Sequence, residues 1–341
     1  MGRQGLIRRR TAALPRLALC LLALPTAIGA DAGDAGTVVY PANPAAGAGV
    51  VCVSDSGIHC FDEPGGAPAW QALAGVRTLE PVIAGGRVLA ASSQGLYAFD
   101  ATSGERLWHR PGNGLVFPPT VAGDTAFASD EHGALVAIDL ASGTLRWRRS
   151  FPGWSYPPAV AGEVLVTGGR EGILRGLDRA SGRTRWRLEL DQELVYRPAA
   201  TPAGALVTTF AGTVLTVNAD GEVVWRVRDG VASATPAVAD GRAYLPGLDG
   251  RLRARRTHDG ALLWTRDLGA AADGPGHAAR GQLGVTTRDG EVLIVDTADG
   301  EPGGVTTPPG SPVGSPVPGA GGAWLVPARH RDALAWHPVA P

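Results

Sequence analysis

The sequence predicts an all-β fold, an eight-bladed β-propeller of four-stranded antiparallel blades whose last blade is closed by the N-terminal strand. Three observations predict it. First, the 341 residues include 49 Gly and 27 Pro with 44% hydrophobic content, and no stretch beyond residue 30 keeps a helical apolar period. Second, a motif of Asp, then Gly four residues on, then Trp four further recurs. It appears as Asp62/Gly66/Trp70, Asp100/Gly104/Trp108, Asp139/Gly143/Trp147 and Asp178/Gly182/Trp186. Weaker copies put Asn218 before Gly221 and Trp225, and Arg256 before Gly260 and Trp264; a seventh keeps Asp296 and Gly300 but has Gly304 where Trp belongs. Third, successive Trp lie 38, 39, 39, 39 and 39 residues apart. A period near 40 made of short strands is the period of propeller blades.

Each repeat reads as four strands. In residues 118–147 the inner strand is Pro118 to Val121, followed by an alternating second strand, Thr125 to Ser129. A third strand runs from Ala134 to Asp139, and Leu145 to Trp147 belong to the outer one. Turn glycines supply the positive φ that other residues resist. The Asp (or Asn) of the motif can bond turn amides, so these acids are expected to be caps rather than catalytic groups. Each Trp brings a large apolar face to pack between blades, and its indole N–H can find a carbonyl.

The glycines preceding third strands count the blades: Gly57, Gly95, Gly133, Gly172, Gly212, Gly250 and Gly290, with Asp332 at the eighth place. No residues remain for an eighth outer strand. Thr37-Val38-Val39-Tyr40 is a spare strand at the other end, and it is expected to complete the last blade and remove the exposed edges. Seven blades with a tail is the competing count.

Residues 1–30 read as a cleaved signal peptide, with a basic head (Arg3, Arg8, Arg9, Arg10, Arg16), an apolar run from Leu17 to Ile28 and small residues Gly29-Ala30. Residues 31–36 are a short linker and 37–341 a single domain. Leu19 before Cys20 argues against a lipid-attachment motif. Without residues 1–30 the balance is 26 basic against 32 acidic residues, so a nucleic-acid partner is not expected. No second apolar segment follows, and the mature chain is expected to be periplasmic or secreted. All 31 basic residues are Arg. Cys52 and Cys60 flank the turn Ser54-Asp55-Ser56-Gly57, and their spacing and the oxidising compartment favour a disulfide.

The run Gly-x-Leu-x-Ala-x-Asp-x-x-Ser-Gly-x-x-x-Trp, carried best by Gly95–Trp108 and Gly133–Trp147, resembles the tryptophan-docking repeat of the PQQ-like β-propeller family. The resemblance covers nearly the whole mature chain and implies the fold. The quinone-dependent dehydrogenases of that family hold their cofactor with adjacent cysteines, a metal bound by Glu and Asn, and a catalytic Asp. No Cys-Cys pair occurs here, and Asp191-Gln192-Glu193 lacks the spacing of a calcium loop. No catalytic, cofactor or metal residue is therefore carried over, and no enzyme is expected. His330 and His337 lack the further ligands zinc needs, and Gly153-Trp154-Ser155-Tyr156-Pro157 is not a nucleophile elbow.

Inter-blade loops and the turns between second and third strands share one rim. On three adjacent blades these loops are aromatic. Phe117, then Trp154 and Tyr156, then Leu194, Tyr196 and Arg197 follow one another, with Phe210 in a nearby turn. Two readings stand: a partner-binding rim, or side chains folded inward as a plug. The non-catalytic branch resembling BamB, of the outer-membrane barrel assembly machinery, is similar in length and blade count. Its Leu-x-Leu-Arg contact loop is similar to Leu194-Val195-Tyr196-Arg197, while its paired acids have no counterpart in Val231-Ala232-Ser233-Ala234. The resemblance implies a monomeric interaction scaffold with an envelope protein partner. A propeller binding a sugar or quinone in its channel and a degenerate quinone dehydrogenase are the alternatives.

Overall fold

The computed structural model describes residues 43–63, 66–190, 192–194, 196–230, 235–319, 322–330 and 333–339. It contains eight four-stranded antiparallel sheets and, among the described residues, no helix. The blades span residues 45–72, 82–111, 120–150, 159–189, 199–228, 237–267, 277–306 and 311–339. The inner strand of blade 8, Val317–Pro318, lies beside that of blade 1, Ala45–Gly47, so the ring closes on itself. The signal-peptide and linker readings, and the closing strand Thr37 to Tyr40, lie outside the described residues. Blade 8 holds Ser311–Pro312 and Val317–Pro318 against Trp324–His330, which also pairs with Ala333–Val339.

The alternation read in Thr125–Ser129 is not an exposure pattern. All five residues are buried, as are those of Val50–Ser54, Val164–Gly168 and Gly204–Thr208. Both faces of a second strand lie against neighbouring blades, so polar Thr and Ser are enclosed along with the aliphatics. Outer strands behave differently. In Leu145–Ser150 only Trp147 is fully buried.

The repeated Trp joins each blade to the next. The indole N–H of Trp70, Trp108, Trp147, Trp186, Trp225 and Trp264 donates to a backbone carbonyl of the following blade's turn at 2.7–3.2 Å. The acceptors are Ala101, Leu140, Arg179, Ala219, Thr257 and Thr297. Each ring lies on the repeat glycine of that blade, Gly104, Gly143, Gly182, Gly221, Gly260 or Gly300. A Cβ on any of these would stand 2.5–2.8 Å from a ring atom, and each has φ between +66° and +86°. In three blades the residue two beyond Trp adds a clamp. Arg110, Arg149 and Arg266 donate to the carbonyls of Gly143, Gly182 and Gly300 at 2.7–3.0 Å.

The motif Asp residues are turn caps. Asp100 Oδ1 accepts the amides of Thr102 and Ser103, Asp139 Oδ1 those of Ala141 and Ser142, and Asp178 Oδ1 that of Ser181. Asn218 does the same for Asp220 and Glu222. Hydrogen bonds from Arg146 and Arg185, then from the Ser142 and Ser181 groups, hold Asp139 and Asp178 well below the usual carboxylate range.

Two seams lack the device. At the equivalent glycine of blade 1, Gly66, a Cβ would approach, among the described residues, only atoms of Asp62. There the seam with blade 8 is made by the ion pair Arg329–Asp55 and by Phe61 edge-on to Trp336, ring centroids 5.8 Å apart. Val51 packs with Val317 and Leu325. Between blades 7 and 8, Trp324 donates to Gln282 Oε1 at 2.8 Å, and its ring packs with Val292 and Ile294. Cys52 and Cys60 face each other across blade 1 and form a disulfide, Cα–Cα 4.1 Å.

Gly162 has the same left-handed backbone as Gly182 (φ +61° against +66°) but open space around it. Gly182→Ala should therefore destabilise by more than about 2 kcal/mol, and Gly162→Ala by about 1 kcal/mol. Urea unfolding of the two variants separates close approach from backbone strain. Reducing the Cys52–Cys60 bridge, which closes a loop with a sequence separation of 8, should lower stability by about 2 kcal/mol. Denaturant midpoints with and without reductant check this.

Candidate functional site: the channel mouth on the loop rim

Isolated bridges fasten the inter-blade loops to the turns between second and third strands: Val116 to Asp130, Ser155 to Gly169, Leu194 to Thr209 and Ala272 to Thr287. Loops and turns thus form one rim around the channel. Prolines Pro118, Pro119, Pro157, Pro158 and Pro198 stand between loop and inner strand. Lacking an N–H and fixed in φ, they favour an abrupt entry into a short strand.

Phe117, Trp154 and Tyr156 come together at the mouth, half-buried. Phe117 lies 5.7 Å from Trp154 and 5.8 Å from Tyr156, centroid to centroid. The Arg170 guanidinium sits over the Trp154 ring at 3.9 Å. This position covers one face of the indole and places a positive charge where the ring quadrupole attracts it. Tyr196 and Arg197 are also half-buried. Burial pushes the Tyr156 and Tyr196 phenols up, opposed by Arg170 and Arg288 respectively.

Two predicted rim residues have different surroundings. Leu194 is 1% exposed and packs in the core with Leu174, Val207 and Leu215, because its bridge to Thr209 turns it inward. Its side chain is enclosed in the core and not presented at the rim surface. Phe210 is 59% exposed, at the tip of its turn.

Apart from Arg197, the charges of the mouth were not among the predicted residues. Arg197 Nη2 lies 3.4 Å from Glu80 Oε1, which precedes the inner strand of blade 2, so an ion pair joins blade 5 to blade 2. Arg288 is half-buried in the turn of blade 7. Burial pushes Asp273 up to about 6 against the pull of Arg288. His277, at the start of the inner strand of blade 7, is pushed down to about 4 by burial and then by Arg197. Asp273 occupies the loop position of Phe117 and Tyr156, and Arg288 the turn position of Phe210. Superposing the repeats would have singled them out, whereas a search for unusual composition sees only the rings.

The mouth therefore offers clustered aromatic rings, three cations (Arg170, Arg197 and Arg288) and two carboxylates (Glu80 and Asp273), fixed by rigid inner strands. It suits reception of a partner's side chains. Among the described residues no group of three or more His, Cys, Asp or Glu could hold a metal ion. His330 and His337 lie on paired strands, with His337 opposite Val326, four residues or about 13 Å along the strand from His330.

The two titrations have opposite signs. Neutral His277 stabilises fully above its ordinary pKa of 6.5, and this is lost as pH falls through about 4. Asp273 is best tolerated below 3.8 and opposes folding as pH rises through about 6. Asp273→Asn should raise the melting temperature at pH 7.5 and leave it unchanged near pH 3.5. Scanning calorimetry at both pH values checks this.

The family model described as outer membrane protein assembly factor BamB matches residues 72–149 and 131–336. No curated protein matches the sequence. Among solved structures, the chain is similar to BamB from Moraxella catarrhalis (TM-score 0.69, 16% identity, covering 87% of this chain and 93% of that one). It is also similar to the computationally designed Ika8 protein (0.75, 12%, 89% and 97%) and to Saccharomyces cerevisiae Sqt1 (0.69, 11%, 89% and 95%). At these identities the structures establish the propeller fold.

Proposed function

The chain belongs to the family of the outer membrane protein assembly factor BamB, and from that premise we propose that it is a non-enzymatic interaction scaffold of the cell envelope, exported to the periplasm and acting in outer-membrane protein assembly. The observation that carries the reading is the joined aromatic cluster Phe117, Trp154 and Tyr156, with Tyr196 and Arg197 on the next loop. Aromatic rings and arginine are the groups that dominate binding energy where proteins meet. Their half-burial lowers the entropy lost on binding, and rigid inner strands hold the loops with little shape change. The partner is a protein that seats side chains between the Trp154 and Tyr196 loops. Phe210, exposed beside them, extends the contact.

In-cell photo-crosslinking tests the reading, with a photoreactive residue at Trp154 or Phe210 and Ala271 on the opposite loops as control. A specific envelope protein should be captured from the first two positions and not from the third. Capture of nothing from Trp154 or Phe210, in folded and exported protein, would remove the rim as a partner site. Arg197→Glu should reduce the crosslinked species at least tenfold, the effect of about 1.4 kcal/mol.

A further inference from the structure

The outer strands of blades 3, 4 and 5, Leu145–Ser150, Thr184–Glu189 and Val223–Arg228, carry seven arginines against one carboxylate, Glu189. The chain as a whole has 31 basic and 32 acidic residues, so this is a local concentration. Three of the seven are engaged. Arg146 is bound to Asp124 and Asp139, Arg185 to Asp178, and Arg149 to the Gly182 and Ser181 carbonyls.

The other four are Arg148, Arg187, Arg226 and Arg228. They are exposed, and among the described residues none has a carboxylate within ion-pair distance. Arg148, Arg187 and Arg226 each immediately follow the docking Trp. They stand opposite Val136, Arg175 and Leu215 on the third strands. The same register places them on equivalent outer positions of three consecutive blades. Elsewhere that position holds Gln71, Thr265 or His109, which is stacked on Tyr97.

Exposed aliphatics share these strands: Leu145 (39%), Val223 (38%) and Val224 (45%). A wall that interleaves unpaired guanidinium groups with exposed aliphatic side chains has the chemistry of a membrane interface. The cations meet anionic headgroups and the aliphatics enter the acyl boundary. We propose that the outer wall of blades 3–5 is a docking surface for an anionic lipid membrane.

Neighbouring blades of an eight-membered ring turn by about 45°. With blade 4 facing the membrane, Arg187 lies at the crest, and Arg148 and Arg226 fall back on either side. The long arginine side chains and a Debye length of about 8 Å at physiological salt bring all three under the surface potential. The surface is separate from the loop rim and does not depend on the rim having a partner.

The purified full chain is mixed with phosphatidylcholine vesicles, with or without phosphatidylglycerol, at low salt, and bound protein is measured by flotation. The chain should bind the anionic vesicles, release as salt rises, and leave pure phosphatidylcholine unbound. R148Q/R187Q/R226Q should weaken binding on the order of 100-fold. R148K/R187K/R226K should retain it, and the charge-matched control R106Q/R251Q/R256Q should change it little. Unchanged melting temperatures establish that the variants fold. No binding to anionic vesicles, equal binding to both vesicle types, or equal losses in the wall and control variants would overturn the proposal. An acidic protein as the wall's partner gives the first of these results.

Discussion

The structure depends on one contact, the face of an outer-strand Trp laid on a glycine of the next blade. Two demands meet there. The indole N–H must reach a turn carbonyl, and the turn must bring its backbone within van der Waals distance of the ring. Only a residue without Cβ permits that approach, and the same residue accepts the left-handed φ that the turn needs. The preceding Asp holds the turn by accepting its amides, and the same hydrogen bonds keep its pKa low. Trp, Gly and Asp therefore recur together because removing any one loosens the other two. Each blade then contributes its own stability and an interface with its neighbour, as in other repeat folds.

Where the repeat fails, the ring is held by unrelated contacts. Blade 7 has Gly304 instead of Trp, and the bond across that seam runs the other way, from Trp324 of blade 8 back to Gln282. Blade 8 meets blade 1 through Arg329–Asp55 and the Phe61–Trp336 edge contact. A closed ring must join elements that are far apart in sequence, so this seam carries the largest loop-closure entropy of the fold. The disulfide lies in blade 1, on the side that faces blade 2. It ties the second and third strands of that blade together and packs against Val88, Ala90, Tyr97 and Phe99 of blade 2.

The two surfaces follow from the same construction. Inner strands are short and enter through prolines, which leaves the inter-blade loops to surround the channel mouth and carry aromatic and charged side chains. Outer strands face solvent on one side, so the positions flanking Trp are free of packing constraints. On blades 3–5 the position after Trp is arginine. A propeller can thus meet one partner along its axis and another against its wall without either contact altering the docking between blades.

Blade count, strand order, the Asp caps, the role of the Trp and the pairing of Cys52 with Cys60 were all legible in the sequence, because each is set by a local spacing repeated along the chain. The period of 39 is a property of the chain, and turn chemistry acts over four or five residues. Other features required the assembled ring. Second strands are buried on both faces because two neighbours enclose them, which an alternating pattern does not reveal. Leu194 belongs to the core while Phe210 stands in solvent, though both lie near the same rim. The Arg197–Glu80 pair joins residues 117 apart, and the displaced acid–base behaviour of Asp273 and His277 comes from burial at a mouth built by several blades. Spacing specified each blade, but the surroundings of a side chain come from elements distant in sequence, and closure of the ring decided which of them meet.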